Sequence, residues 1–105
     1  GYDASFTDPL GRMLCHSDTF REMTAKMMQA ADKHCDGKLI LTHEGGYSAG
    51  YVPFCGLAVL EQLSGVRTEC EDPFLMFGPG YPDQQMKPEH RVLLGGYAKR
   101  LDGIK

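Results

Sequence analysis

The chain has 105 residues, a net charge of -3, a pI near 5.7 and 42% apolar residues. This composition fits one globular domain at most; it excludes disorder and argues against a nucleic-acid surface, because Lys and Arg are scattered rather than clustered. No apolar run approaches the roughly 20 residues of a membrane-spanning helix, and the opening Gly1-Tyr2-Asp3 lacks the basic start and apolar run of a signal peptide.

Gly1 to Cys15 reads as the exit from a strand into a long loop, with Gly1-Tyr2-Asp3-Ala4 as the tail of an element that begins earlier. Asp3 is expected to fix this loop through hydrogen bonds, and Thr7-Asp8-Pro9-Leu10-Gly11 places a second carboxylate beside a stiffening proline. Ser17, Asp18 and Thr19 offer N-cap side chains, and Thr19 with Glu22 has capping-box spacing, so a helix is predicted from here. Phe20, Met23, Met27 and Ala30 or Ala31 share its apolar face, the methionines as core filler, and Asp36-Gly37 closes it.

Lys38 to Thr42 is predicted as a strand, apolar on both faces at Leu39-Ile40-Leu41, the pattern of a parallel strand covered by helices. Glu44-Gly45-Gly46-Tyr47 ends it. Paired glycines let the backbone turn sharply or approach something closely, and leave a tyrosine hydroxyl at the carboxyl end of the strand, where α/β proteins collect ligands. Pro53 stands near the start of a second helix, predicted to run to about Leu63 with Phe54, Leu57, Ala58, Leu60 and Leu63 buried, and Ser64-Gly65 ends it. Val66 to Lys87 is irregular, with Phe74, Phe77 and Tyr81 tacking it to the body. Pro88 opens a last helix whose stripe of Val92, Leu93, Tyr97, Leu101 and Ile104 is weakened by Gly95-Gly96.

One or two strands do not make a sheet that is stable alone. The expected fold is therefore α/β, a parallel sheet flanked by helices, of which residues 1–105 form the C-terminal segment of a single larger domain whose N-terminal part is missing. Cys15, Cys35, Cys55 and Cys70 show neither C-x-x-C nor zinc-finger spacing and read as reduced, partly buried thiols, which suits a cytoplasmic compartment.

Asp8 has two readings, a loop aspartate that organises a turn through backbone N–H groups, or a metal carboxylate at a strand end. Tyr47 is either a packing aromatic or a phenol that donates to an oxyanion formed in acyl transfer. Glu44 beside the turn is as readily held by backbone N–H groups. His16, His34, His43 and His90 form no H-x-H or H-x-x-x-H pair, and one aspartate does not hold a catalytic zinc, which takes about three protein ligands. Ser48 follows Tyr47 without a G-x-S-x-G elbow, so no nucleophile is assigned.

Gly1-Tyr2-Asp3-Ala4, Asp8-Pro9-Leu10-Gly11, the helix opening at Ser17, and Leu39 to Tyr47 with Glu44-Gly45-Gly46-Tyr47 together resemble the C-terminal part of the zinc-dependent histone deacetylase family. The class II branch and the bacterial acetylpolyamine amidohydrolases and deacetylase-like amidohydrolases are most similar, over roughly residues 1–65. The resemblance implies the arginase-deacetylase fold and hydrolysis of an acetylated lysine or polyamine to acetate and a free amine. It implies that Asp8 is a Zn2+ ligand, that Tyr47 stabilises the tetrahedral intermediate, and that Gly45 and Gly46 contact substrate. The other zinc ligands and a proton-handling histidine pair are implied upstream of this chain, which alone is expected to be inactive. Tyr47, where some weakly active relatives have histidine, implies a competent parent. Tyr2 in place of the usual phenylalanine, and His43 in place of an aliphatic residue, depart from the family pattern. The expected partners are the substrate and an optional oligomer, without nucleic acid or membrane. The alternative is a non-catalytic α/β interaction module that keeps the fold.

Overall fold

The computed structural model describes residues 1–11, 13–77 and 85–104. Helix α1, Ser17–Cys35, starts earlier than the Thr19–Glu22 capping-box spacing predicts, with its N-cap at His16 instead of Thr19. Its N-cap is His16, whose backbone N–H is accepted by Thr19 Oγ1 at 3.3 Å, so Thr19 serves the helix start from inside the first turn. Asp36, in the left-handed conformation, and Gly37 end α1, with the Gly37 N–H donating to the Ala31 carbonyl at 3.1 Å. Helix α2, Val52–Ser64, carries Pro53 in its first turn and stops at Gly65, as predicted. A 3-10 turn, Pro73–Met76, lies within the segment read as irregular; its N–H at Phe74 is capped by Asp72 Oδ1 at 2.8 Å. Helix α3, Pro88–Asp102, closes the described chain.

No strand is present among the described residues, and the expected parallel sheet is not formed. The nearest approach to one is a single parallel bridge between Ser5 and Cys15, which closes the loop that carries Asp8. Gly1 to Ala4 is a turn, with the Ser5 N–H donating to the Tyr2 carbonyl at 3.0 Å, rather than the exit of a strand. Lys38 to Thr42 has no regular structure; Ile40 is 91% exposed. A strand exists only where a neighbour pairs with its N–H and C=O groups, and the described residues offer this run no such neighbour, however apolar its side chains. No helix among the described residues is long and apolar enough to cross a membrane.

Packing is concentrated where the N-terminal loop meets α1 and α2. Phe20 of α1 and Tyr51, Cys55 and Val59 at and within α2 form the core, against which Tyr2, Phe6, Phe54 and Phe74 pack. Tyr51 is completely buried, and its ring lies 5.1 Å from Phe6, 4.9 Å from Phe74 and 6.4 Å from Phe54. Its hydroxyl accepts the Ser17 N–H at 3.0 Å and donates to Asp72 Oδ2 at 2.9 Å, tying the start of α1 to the 3-10 turn. Burial pushes the phenol above its ordinary range, so it stays protonated as this donor. All four cysteines are free thiols; Cys55 is buried and pushed up to about 12 by desolvation, Cys15 is half-buried, and Cys35 and Cys70 are exposed.

The predicted apolar faces are only partly covered. Phe20, Ala31 and Ala58 are buried, but Met23, Met27, Leu60 and Leu63 are exposed and, with Tyr2 and Leu41, line an open concavity of about 880 Å³. The stripe of α3 is exposed along its length, Phe77 is 54% exposed, and Tyr81 lies outside the described residues. Helical periodicity identifies which residues share a face; it does not supply the element that covers it.

Glu61 is the charged counterpart of Tyr51. Its buried carboxylate accepts from Thr68 Oγ1 at 2.6 Å and the Thr68 N–H at 2.8 Å, and pairs with Arg21 at 2.8 Å and Arg67 at 3.3 Å. Arg21 also donates to the Ala58 carbonyl at 3.2 Å, so one guanidinium joins α1 to α2. The Thr68 donors, helped by the two guanidinium groups and opposed by burial, pull the Glu61 carboxyl from 4.5 down to about 2. A carboxyl depressed in the folded state stabilises it above 4.5 and ceases to do so as pH falls towards about 2. Glu61→Gln should therefore remove this part of the acid dependence of the urea midpoint; an unchanged acid limb would contradict the assignment. Tyr51→Phe should lower unfolding stability by about 1–3 kcal/mol, because the buried Ser17 N–H and the half-buried Asp72 carboxylate lose their partner, measured by the same urea titration.

Candidate active site

Asp8 sits 6% exposed in a loop that it organises itself. Its Oδ1 accepts the Leu10 N–H at 2.8 Å and the Gly11 N–H at 3.0 Å, the turn expected of an aspartate before proline. Its Oδ2 reaches across 39 positions to accept the Tyr47 N–H at 2.8 Å. The two candidate residues are thus directly joined, through the carboxylate of one and the main chain of the other. Burial works against ionisation of Asp8, but the backbone donors of Tyr47, Gly11, Leu10 and Ser48 outweigh it and hold the carboxyl below its ordinary range.

The Gly45-Gly46 turn is held against the N-terminal loop. The Gly45 carbonyl accepts the Tyr2 N–H at 2.7 Å, and the His43 ring nitrogen Nε2 lies 3.1 Å from the same oxygen. A Cβ at Gly45 would stand 2.6 Å from Asp3 Oδ2, closer than side-chain atoms pack, so the close approach read from the sequence is to the chain's own Asp3. None of the hydrogen bonds among the described residues uses the Asp3 carboxylate; it wedges between Gly1 and Gly45 instead of fixing the loop by hydrogen bonding. Gly46 has φ 138° and would place a Cβ 3.0 Å from Val52 Cγ2, a conformation and a space that only glycine suits. The backbone leaves this turn with the Tyr47 side chain 57% exposed.

Tyr2 and His43, the two departures from the family pattern, touch each other, with ring centroids 4.7 Å apart. Each also contacts the glycine turn, so the two changes belong to one packing solution. Thr7 Oγ1 donates to Ser48 Oγ at 2.9 Å, a second side-chain link between the loops. Sequence reasoning missed Thr7, His43 and Ser48 as contributors; their adjacency to Asp8, Gly45 and Tyr47 was the available signal. Glu44 is exposed. Among the described residues no three His, Cys, Asp or Glu side chains converge as a metal site.

The histone deacetylase domain family matches residues 1–63, which include Asp8, Gly45, Gly46, Tyr47 and nearly all of α2. The histone deacetylase-like amidohydrolase of Pseudomonas aeruginosa is 58% identical over 77 residues, 73% of this chain and 20% of that protein. A probable deacetylase of Archaeoglobus fulgidus is 36% identical over 66 residues, 62% of this chain and 18% of the relative. Histone deacetylase 8 of Arabidopsis thaliana is 36% identical over 86 residues, covering 81% of this chain and 22% of its own. The chain thus spans 18 to 22% of the length of these relatives. With both candidate loops and the helices that seat them inside the matched region, the chain belongs to the histone deacetylase family.

Proposed function

We propose that residues 1–105 are the C-terminal segment of a single zinc-dependent deacetylase domain that hydrolyses an acetylated lysine or acetylated polyamine to acetate and a free amine. The observation that carries this reading is the 2.8 Å bond from the Tyr47 N–H to Asp8 Oδ2, which joins an ionised carboxylate to the main chain of an exposed tyrosine within the matched region.

Asp8 suits a metal. Its carboxylate is held ionised by backbone N–H groups, those of Leu10 and Gly11 on Oδ1 and that of Tyr47 on Oδ2, with no cation among the described partners to offset its charge. A catalytic zinc takes about three protein ligands, so the others belong to residues outside this chain. When bound, zinc would supply Lewis-acid chemistry for attack of water on the amide. The part of this chain is to hold the carboxylate ionised and to present the Tyr47 phenol to the acyl oxygen as that oxygen gains charge. Gly45 and Gly46 would meet the acyl group through their main chain, since a Cβ at either would face Asp3 or Val52 instead. Removal of a proton from the attacking water falls to residues outside the chain. The four free thiols suit a cytoplasmic protein.

The intact protein is expected to release acetate from acetyl-lysine peptides or acetylated polyamines and to lose that activity to a chelator. Tyr47→Phe should lower kcat by about 10²–10³, the effect of removing one oxyanion donor; full turnover by that variant would remove Tyr47 from the mechanism. The 105-residue chain alone is expected neither to bind zinc tightly nor to turn over substrate. Zinc-dependent turnover by the isolated chain would refute its standing as a segment, and an intact protein inert toward both substrate classes would favour a non-catalytic module.

A further inference from the structure

Hydrogen bonds among the described residues join the N-terminal loop to the turn that carries Tyr47. The Tyr2 N–H donates to the Gly45 carbonyl at 2.7 Å, the Tyr47 N–H to Asp8 Oδ2 at 2.8 Å, and the Thr7 hydroxyl to Ser48 Oγ at 2.9 Å. The last is the one made wholly by side chains, between residues 41 positions apart that immediately flank Asp8 and Tyr47. Both are half-buried, so water competes less for the bond than at an open surface.

Ser48 is also fixed from its other side. Its carbonyl accepts the Tyr51 and Val52 N–H groups, each at 2.9 Å, which seats it on the entry to α2. Tyr51 in turn is immobilised by complete burial and by its bonds to Ser17 and Asp72. A continuous connection therefore runs from the core through Tyr51 and Ser48 to Thr7 and the Asp8 loop. Tyr47 itself, 57% exposed, is not held by packing of its own ring, so its placement depends on the main chain on either side. Asp8 restrains that main chain at the Tyr47 N–H with the Ser48 N–H as a further donor, and the Thr7–Ser48 hydroxyl pair adds a side-chain restraint one residue after Tyr47.

We propose that the Thr7–Ser48 hydroxyl pair is a positioning clamp, which fixes the Tyr47 phenol relative to Asp8 without touching substrate. The proposal rests on the deacetylase reading of the site, in which the phenol must meet one developing oxyanion. Misplacement by about 1 Å is enough to cost large factors in rate, and the clamp removes the freedom that a solvent-exposed tyrosine at a glycine turn would otherwise have.

The test uses the intact protein, acetyl-lysine peptide and acetylated polyamine substrates, and four variants, Thr7→Val, Ser48→Ala, the double variant and Thr7→Ser. Thr7→Val and Ser48→Ala should each lower kcat by about three- to tenfold, the worth of one ordinary hydrogen bond, with KM unchanged. The double variant should be no worse than either single one, since both break the same bond, and Thr7→Ser should restore turnover. In a Tyr47→Phe background, Ser48→Ala should have no further effect on kcat, because the clamp acts through the phenol. A general structural role would lower kcat equally in that background and would overturn the proposal. So would wild-type kcat in both single variants while Tyr47→Phe is impaired, an outcome that leaves the deacetylase reading intact. Wild-type turnover by Tyr47→Phe would overturn both. Should Ser48→Ala fold poorly by thermal denaturation, Thr7→Val, which preserves side-chain shape, carries the same comparison.

Discussion

The buried Tyr51 hydroxyl ties the start of α1 to the segment ahead of the 3-10 turn. One oxygen accepts from the first residue of α1 and donates to Asp72 ahead of the 3-10 turn, while the ring beneath it is enclosed by Phe6, Phe54 and Phe74. A large aromatic with its polar tip satisfied combines apolar burial with directional bonding, which matters in a chain with little regular structure between its helices. The N-terminal loop is held in the same place, through Phe6 against Tyr51 and Tyr2 against Phe20. Because Tyr51 stands only a short turn beyond Tyr47, order in the core is transmitted directly to the candidate site.

At that site the main chain does most of the electrostatic work. Among the described residues Asp8 is met by N–H dipoles rather than by a cation, a setting that stabilises the carboxylate without neutralising it. An Arg or Lys partner would compete with any metal for the same negative charge. Backbone donors leave the formal charge in place and also fix the plane of the carboxylate. Glu61 shows the contrasting arrangement, two guanidinium groups and a threonine closing around a carboxylate that joins helices.

Much of the local structure was legible. Pro53 and Gly65 marked the ends of α2, Asp36 and Gly37 the end of α1, and Pro88 the start of α3, because these residues restrict the backbone by themselves. The Asp8 and Gly45-Gly46-Tyr47 motifs were legible as neighbours only through the family resemblance. What could not be read is whatever depends on partners distant in sequence. Leu39-Ile40-Leu41 signals apolarity but not a ladder, Met23 and Leu60 signal a face but not its cover, and the Tyr51 hydroxyl reveals its two bonds only once Ser17 and Asp72 have been brought to it. His43 and Tyr2 looked like two unrelated departures until they were found in contact.

The bond between Asp8 and the Tyr47 main chain also limits what genetics can separate. A substitution at Asp8 is a lesion in two components, since it removes the carboxylate proposed as a metal ligand and at the same time releases the backbone of Tyr47, the residue proposed to face substrate. Loss of function at that position would not measure metal ligation alone, and suppressor changes near Gly45 or Ser48 would be expected to recover only the share that belongs to loop geometry. The two residues form one unit of inheritance, in which neither position is free to drift while the other keeps its work.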